Sequence, residues 1–196
     1  MGLLVCFAGR IGSGKSSVTQ ALAEHLGWNF TGFGDFLRAE LIRRGSDPSS
    51  RKALQEVGQE MVEKDPEGFC RAVLNAGNFQ PGGDLLIDGV RHVEIQKILT
   101  RIALPSAARL IFIDADAAVR LERVEGRVDG RADFVRAEAH CVEADLREGL
   151  PAMADVIVDA RQDFSIVVEQ CLIAIRQWCS SPPQATSQDI HDKSNR

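Results

Sequence analysis

The sequence predicts an α/β fold, a three-layer sandwich in which a five-stranded parallel sheet carries helices on both faces. Three observations lead there. Short apolar runs alternate with longer stretches whose apolar residues recur at helical spacing. The runs Leu3-Leu4-Val5-Cys6-Phe7-Ala8 and Leu85-Leu86-Ile87 are continuously apolar, the pattern of strands covered on both faces. A glycine-rich turn, Gly9 to Ser16, joins the first run directly to the first helical stretch.

The elements follow in order. A strand over 3–8 leads into a helix over 15–26, whose apolar positions are Val18, Ala21, Leu22 and Leu26. A short strand at 28–31 precedes a helix over 35–44, stopped by Gly45. Helical stretches at 48–64 and 66–79 each carry a proline near the start, where its missing N–H costs nothing. Gln80-Pro81-Gly82-Gly83 is a turn into a third strand, 85–87, which ends in Asp88. A helix over 93–102 and a strand over 109–113 come next. Asp116 is placed to cap a helix with Ala117, Val119, Leu121 and Val124 on its apolar side. An Arg- and Gly-rich loop at 126–130, a helix over 133–148 and a last strand at 156–158 follow. Phe164, Val168, Cys171, Ile175 and Trp178 line one face of the final helix. Residues 1–179 thus read as one domain, interrupted by an inserted helical region at about 35–79. Residues 180–196 are polar and proline-bearing, the composition of a disordered tail.

Bulk properties narrow the function classes. The chain has 196 residues, enough for one well-buried α/β domain. Its formal net charge of −5 supplies no global basic field, so a nucleic-acid partner is not expected. No apolar run reaches membrane-spanning length, and no basic leader precedes the first strand. Five cysteines, an odd number without a C-x-x-C pair, read as reduced thiols. Together these point to a cytoplasmic protein with no membrane partner. His25, His92, His140 and His191 form no cluster and are expected in surface or structural roles.

The chemistry concentrates in a few segments. Gly9-Arg10-Ile11-Gly12-Ser13-Gly14-Lys15-Ser16 is a complete G-x-x-x-x-G-K-S phosphate-binding loop set between a strand and a helix, with Ser17 following. Its glycines let backbone N–H groups converge on a triphosphate, and the helix N-terminus adds partial positive charge. Lys15 is expected to reach the β and γ phosphates of ATP, and the Ser16 hydroxyl to ligate Mg²⁺. Asp88, at the C-terminal end of a buried parallel strand, is placed in the ligand crevice to hold the Mg²⁺ water shell. Gly34, Asp35 and Arg38 form an acceptor segment in which Arg38 clamps an anion, and Arg91 lies three residues past Asp88 with reach to a phosphate. For Asp35 and Arg38 a plain helix cap and a solvated arginine is an equal reading. Arg127, Arg131 and Arg136 surround a flexible loop and are assigned to a short lid, about 126–136, that closes over the transferring charge. Arg120 and Arg123 are read as surface residues or members of exposed ion pairs.

With those segments in hand, the chain resembles the small P-loop nucleotide kinases of the adenylate kinase and dephospho-CoA kinase group over nearly its whole length to about residue 160. Gly34-Asp35-Phe36-Leu37-Arg38 resembles their acceptor-site segment, and Leu86-Ile87-Asp88-Gly89-Val90-Arg91 their strand with an Asp-Gly and a nearby phosphate-binding arginine. The stretch from Leu110 to Arg127 resembles the strand and helix leading to their lid, and Arg131 and Arg136 their lid arginines. The resemblance implies a P-loop NTPase fold with an acceptor-binding insertion, ATP and Mg²⁺ as cofactors, and transfer of the γ-phosphoryl group to a small-molecule nucleotide acceptor by a monomer or homodimer. A Phe-Pro pair usual after the Asp-Gly is missing, the lid is short and lacks a cysteine cluster, and tyrosine is absent. These departures mark a divergent, kinase-like branch.

Overall fold

The computed structural model describes residues 2–126, 130–138 and 144–180. Five strands, β1 (Leu3–Ala8), β2 (Phe30–Gly32), β3 (Leu85–Val90), β4 (Ala107–Asp114) and β5 (Val156–Asp159), form one sheet in the order β2-β3-β1-β4-β5. Every neighbouring pair is parallel. β1 is central because all six of its residues are buried, and only the middle of a two-sided sheet removes that much apolar surface from water.

The period of two along each strand divides the core into two layers. On one face Leu4, Cys6, Leu85, Ile87, Leu110 and Phe112 pack against Phe69, Cys70, Val73 and Leu74 of α4 (Pro66–Ala76) and Ile95, Ile98 and Leu99 of α5 (Val93–Ile102). On the other face Leu3, Val5, Phe7, Leu86, Ile111 and Ile113 meet Val18 and Leu22 of α1 (Lys15–Leu26) and Val167, Val168, Cys171 and Ile175 of α9 (Phe164–Ser180). This is the three-layer sandwich the sequence implies. Phe164 is a correction: it is 53% exposed, and the buried stripe of α9 starts at Val167 instead. Burial pushes the Cys6 thiol well above its ordinary range, and Cys70 and Cys171 to about 12, so all three stay protonated fillers of the core. Cys141 lies outside the described residues.

Between β2 and β3 the chain builds three helices, α2 (Phe33–Arg43), α3 (Arg51–Lys64) and α4. Ser50 caps α3 by accepting from the Ala53 N–H, and Asp65 caps α4 by accepting from the Gly68 N–H. α3 therefore starts three residues past Pro48, whose fixed φ favours an entry turn here over the helix itself. α6 (Ala117–Glu125) is capped by Asp116, as anticipated, through the Val119 N–H at 3.0 Å. The helix expected over 133–148 divides differently. α7 (Gly130–Glu138) starts earlier, and a π-helical turn, Asp145–Gly149, runs into the short α8 (Leu150–Met153). Much of the lid segment is thus helix rather than loop. The tail from 181 onward lies outside the described residues, of which no helix is long and apolar enough to cross a membrane.

α2 and α3 are tied by ions. Glu40 accepts from Arg43 and from Arg44, each at 2.7 Å, and Arg44 also donates to Glu60 on α3 at 2.8 Å. The hydrogen bonds from Arg43 and then Arg44 hold the Glu40 carboxyl at about 2, below its ordinary 4.5. A depressed carboxyl contributes stability above its unfolded pKa and loses it as pH falls through the folded one. Glu40→Gln is therefore expected to lower the urea midpoint by a small, constant amount above about pH 4.5, with the difference from wild type shrinking toward pH 2. Urea titrations at pH 7 and pH 3 measure it, and an undiminished difference at pH 3 contradicts the assignment.

Candidate active site

The phosphate loop leaves the C-terminal end of β1 and turns into α1. Gly9, Gly12 and Gly14 hold positive φ values of 154°, 80° and 88°. At Gly12 a side chain is excluded twice over: the backbone is left-handed, and a Cβ would overlap the Arg120 carbonyl. α6 is docked directly on the loop at that point. Gly14 occupies the N-cap position of α1 without any side-chain cap, which leaves the first N–H groups of the helix for an anion.

β3 brings Asp88 to the loop. Opposite β1 the register slips, with Phe7 against Asp88 but Ala8 against Val90. The extra residue is Gly89, at φ 87°, so the strand carries a bulge immediately after the carboxylate. Asp88 Oδ2 accepts from the Ser16 hydroxyl at 2.5 Å, while Oδ1 is buried with no hydrogen-bond partner. A buried carboxylate oxygen without a partner beside a second hard oxygen donor fits a magnesium ion, which takes one or two protein oxygens and completes its shell with water and phosphate. The donor set Ser16 and Asp88 thus suits the ion on chemistry as well as on placement.

A cavity of about 380 Å³ opens from this point. At one end it is lined by Ile11, Gly12, Gly14, Lys15, Ser16 and Ser17, and at the other by Gly34, Asp35, Arg38, Gly89, Arg91 and His92, with Asp88 between. Gly9, Arg10 and Ser13 belong to the loop but are not in the cavity wall. Asp35 does not cap α2, whose N-cap is Gly32 with no side-chain bond. It pairs with Arg38 at 2.8 Å instead, and both side chains are open to solvent, 72% and 51% exposed. The helix-cap reading of Asp35 is therefore a correction: the carboxylate forms an ion pair with Arg38 at the cavity wall.

The arginines at the other side of the loop distribute unexpectedly. Arg131 does not line the cavity; its guanidinium, 75% exposed, pairs with Glu125 at 3.2 Å. Arg127 and the side chain of Arg136 lie outside the described residues. Arg120 and Arg123, read from sequence as surface cations, instead hold backbone. Arg120 is fully buried, donating from Nε to the Ala115 carbonyl at 2.9 Å and from Nη1 to the Ile11 carbonyl at 3.3 Å. Arg123 bridges the Ser13 carbonyl at 3.3 Å and the Ala160 carbonyl at 2.6 Å, fastening the phosphate loop to the turn after β5. Charge alternation could not reveal this, because a buried arginine and a solvated one are spelled alike.

Other cavity residues were legible in principle. Arg51, Leu54, Gln55, Gly58, Gln59 and Val62 form one face of α3 and one wall of the cavity. Their spacing is a plain helical stripe, polar and apolar mixed. Phe33 and Phe69 also line the cavity, and Phe69 meets Phe33 edge-on at 5.1 Å and Phe36 at 5.7 Å. His92, expected in a surface or structural role, faces the cavity, with Nδ1 3.9 Å from Asp145 Oδ2. Asp145 also accepts from the Val93 N–H at 3.0 Å, which anchors the π-helical turn on the start of α5.

A parallel sheet of this order with a phosphate loop after its central strand is a P-loop NTPase fold. The chain belongs to the AAA_18 family, described as AAA domain, whose profile matches residues 5–140. The UPF0200 protein of Aeropyrum pernix is 34% identical over 130 residues, 63% of this chain, and the chain spans 62% of that relative's length. Among solved structures, shikimate kinase from Bacteroides thetaiotaomicron is similar at 15% identity with a TM-score of 0.55, over 89% of this chain and 98% of that one. A gluconokinase from Sinorhizobium meliloti 1021 is similar at 19% identity with a TM-score of 0.52, over 90% and 93%. The fold is shared with these two kinases.

The double exclusion at Gly12 gives a direct check on the loop. Gly12→Ala is expected to cost about 1–3 kcal/mol of stability, through left-handed strain and the clash with α6, and to abolish Mg-ATP binding. Gly126→Ala, where a Cβ meets nothing within 4 Å, serves as the control and is expected to change stability by less than about 0.5 kcal/mol. Thermal unfolding and titration calorimetry on both variants separate the two outcomes.

Proposed function

We propose that this chain is a Mg²⁺-dependent phosphotransferase that moves the γ-phosphoryl group of ATP to a small nucleotide acceptor, a ribo- or deoxyribonucleoside monophosphate in the first instance. The observation that carries the reading is the single cavity that runs from the phosphate loop to Arg38 and Arg91, with Asp88 at its middle. It gives a donor and an anionic acceptor facing positions in one space, which is what in-line transfer requires.

On this reading the loop N–H groups and Lys15 hold the β and γ phosphates of ATP, and Ser16 and Asp88 hold the metal. The metal supplies charge neutralisation between the phosphates when it is bound. Arg91 and Arg38 hold the acceptor phosphate. Arg38 must exchange Asp35 for that phosphate, an exchange that costs little because the pair is exposed. An acceptor phosphate is already ionised near neutral pH, so no general base is required. Arg127, Arg131 and Arg136 are assigned to neutralise the transferring group, Arg131 by leaving Glu125. The monophosphate preference rests on two arginines aimed at the acceptor end.

A second reading is favoured by Asp35 itself. A carboxylate at the cavity wall, released when Arg38 turns to a phosphate, is placed to accept a proton from a hydroxyl. An acceptor that carries both a phosphate and a reactive hydroxyl, such as dephospho-CoA, meets that arrangement.

ADP formation from Mg-ATP, measured against nucleoside monophosphates, dephospho-CoA and no acceptor, tests both readings. Strong stimulation by one monophosphate supports the first, and stimulation by dephospho-CoA gives Asp35 the role of base. Acceptor-independent hydrolysis sinks both and leaves a nucleotide-binding regulatory ATPase. In the stimulated reaction Asp88→Asn is expected to lower turnover by about 100-fold or more with ATP affinity changed less than about tenfold, and Lys15→Ala to abolish turnover with the fold intact. Equal losses in turnover and affinity for Asp88→Asn contradict the metal role.

A further inference from the structure

Arg120 is the one charged side chain among the described residues that is buried, and nothing of it is exposed. A guanidinium out of water needs its donors satisfied, so its partners report what it was placed to hold. Two of them are carbonyls, of Ala115 at the end of β4 and of Ile11 inside the phosphate loop. Another is a ring. The guanidinium carbon lies 5.1 Å from the centroid of Phe134 on α7, within cation–π range. Ile11, Val124 and Phe134 form a small apolar cluster of their own around it, with Leu121 packed on its edge, apart from the two main core layers.

From this geometry we propose that Arg120 is a positioning residue that joins the phosphate loop to α7, so that the docking of Phe134 sets the shape of the loop. The physical route is short. Arg120 Nη1 donates to the Ile11 carbonyl at 3.3 Å, which ties one peptide of the loop to α6. That bond is at the long end of the hydrogen-bond range, so it depends on how firmly the guanidinium plane is seated. Phe134 is the side chain that seats the plane from the α7 side, and Gly12 rests on the Arg120 backbone from the loop side. The loop's rigidity is therefore shared with a helix that lies outside the nucleotide cavity. The consequence for turnover rests on the phosphotransferase reading, but the coupling does not.

Amide hydrogen exchange on the ligand-free full chain decides it. In Phe134→Ala, exchange is expected to rise about tenfold or more both in α7 and at the Ser13 amide, which donates to the Arg10 carbonyl at 3.1 Å inside the loop, with β1 and β3 unchanged as the control for the fold. Phe134→Leu keeps apolar volume but removes the ring, and is expected to give the same paired rise if Phe134→Ala proves too unstable to study. Arg120→Lys, which keeps charge but loses the fork, is expected to raise loop exchange while leaving β1 and β3 protected. A rise confined to α7 in the Phe134 variants, with the loop as protected as in wild type, overturns the proposal. Mg-ATP binding by calorimetry supplies a second readout: about tenfold weaker in Phe134→Leu and unchanged in Val135→Ala, whose side chain is exposed on the same helix. If wild type fails to bind Mg-ATP, the phosphotransferase reading falls, and the exchange data still settle the coupling either way.

Discussion

Everything in the molecule is arranged around one demand: several backbone N–H groups must point at one spot in front of β1. Backbone donors do not converge in regular structure, so the chain has to leave the sheet through left-handed positions at Gly9, Gly12 and Gly14 before it enters α1. Such a loop has no ladder of its own to keep it in shape. It is held from behind, by the Arg120 side chain at Ile11, the Arg120 backbone at Gly12 and Arg123 at Ser13. The buried centre of the sheet supplies the rigid base, and α6 supplies the clamp.

The same demand explains the neighbouring strand. Asp88 meets Ser16 near the end of β3, and a regular β3 would pair on past it without a break. The bulge at Gly89 ends that regularity one residue after the carboxylate and leaves Oδ1 buried beside the hydroxyl pair. A charge-bearing oxygen held this way is costly unless a cation answers it. Charge elsewhere follows a different logic. Glu40, Arg43 and Arg44 fasten α2 to α3 at the surface, where the geometry of the cavity wall matters more than the energy of any one pair. Asp35 and Arg38 form an exposed pair at the cavity wall, which solvent screens.

Much of this was legible residue by residue. Continuous apolar runs marked β1, β3 and β4, since a strand covered on both faces has no polar positions to spare. Asp116 announced α6 three residues ahead of the N–H it accepts from. Boundaries moved where local signals competed: Pro48 suggested a helix start, but Ser50 provides the cap, and Gly130 begins α7 despite its poor helix propensity. Phe164 kept the helical period and still faces solvent, because α9 meets the sheet only from Val167 onward.

By itself the sequence determined the sheet, the loop, the placement of Asp88 and the helices between β2 and β3, because each is encoded in contiguous residues through period, glycine spacing or a cap. Only the tertiary structure decided what the described arginines touch. Arg120 and Arg123 are three apart on one helix, yet one is sealed inside and both bind main chain more than a hundred residues earlier in the sequence. Arg131, in the segment that reads as a lid, turns to Glu125 instead of the cavity. The stripe from Arg51 to Val62 became a cavity wall only together with α2 and Phe69, which line the same cavity. A side chain's type can be read from the sequence. Its partner depends on which distant carbonyl, ring or carboxylate the fold brings within about 3 Å, and that is a property of the packed chain alone.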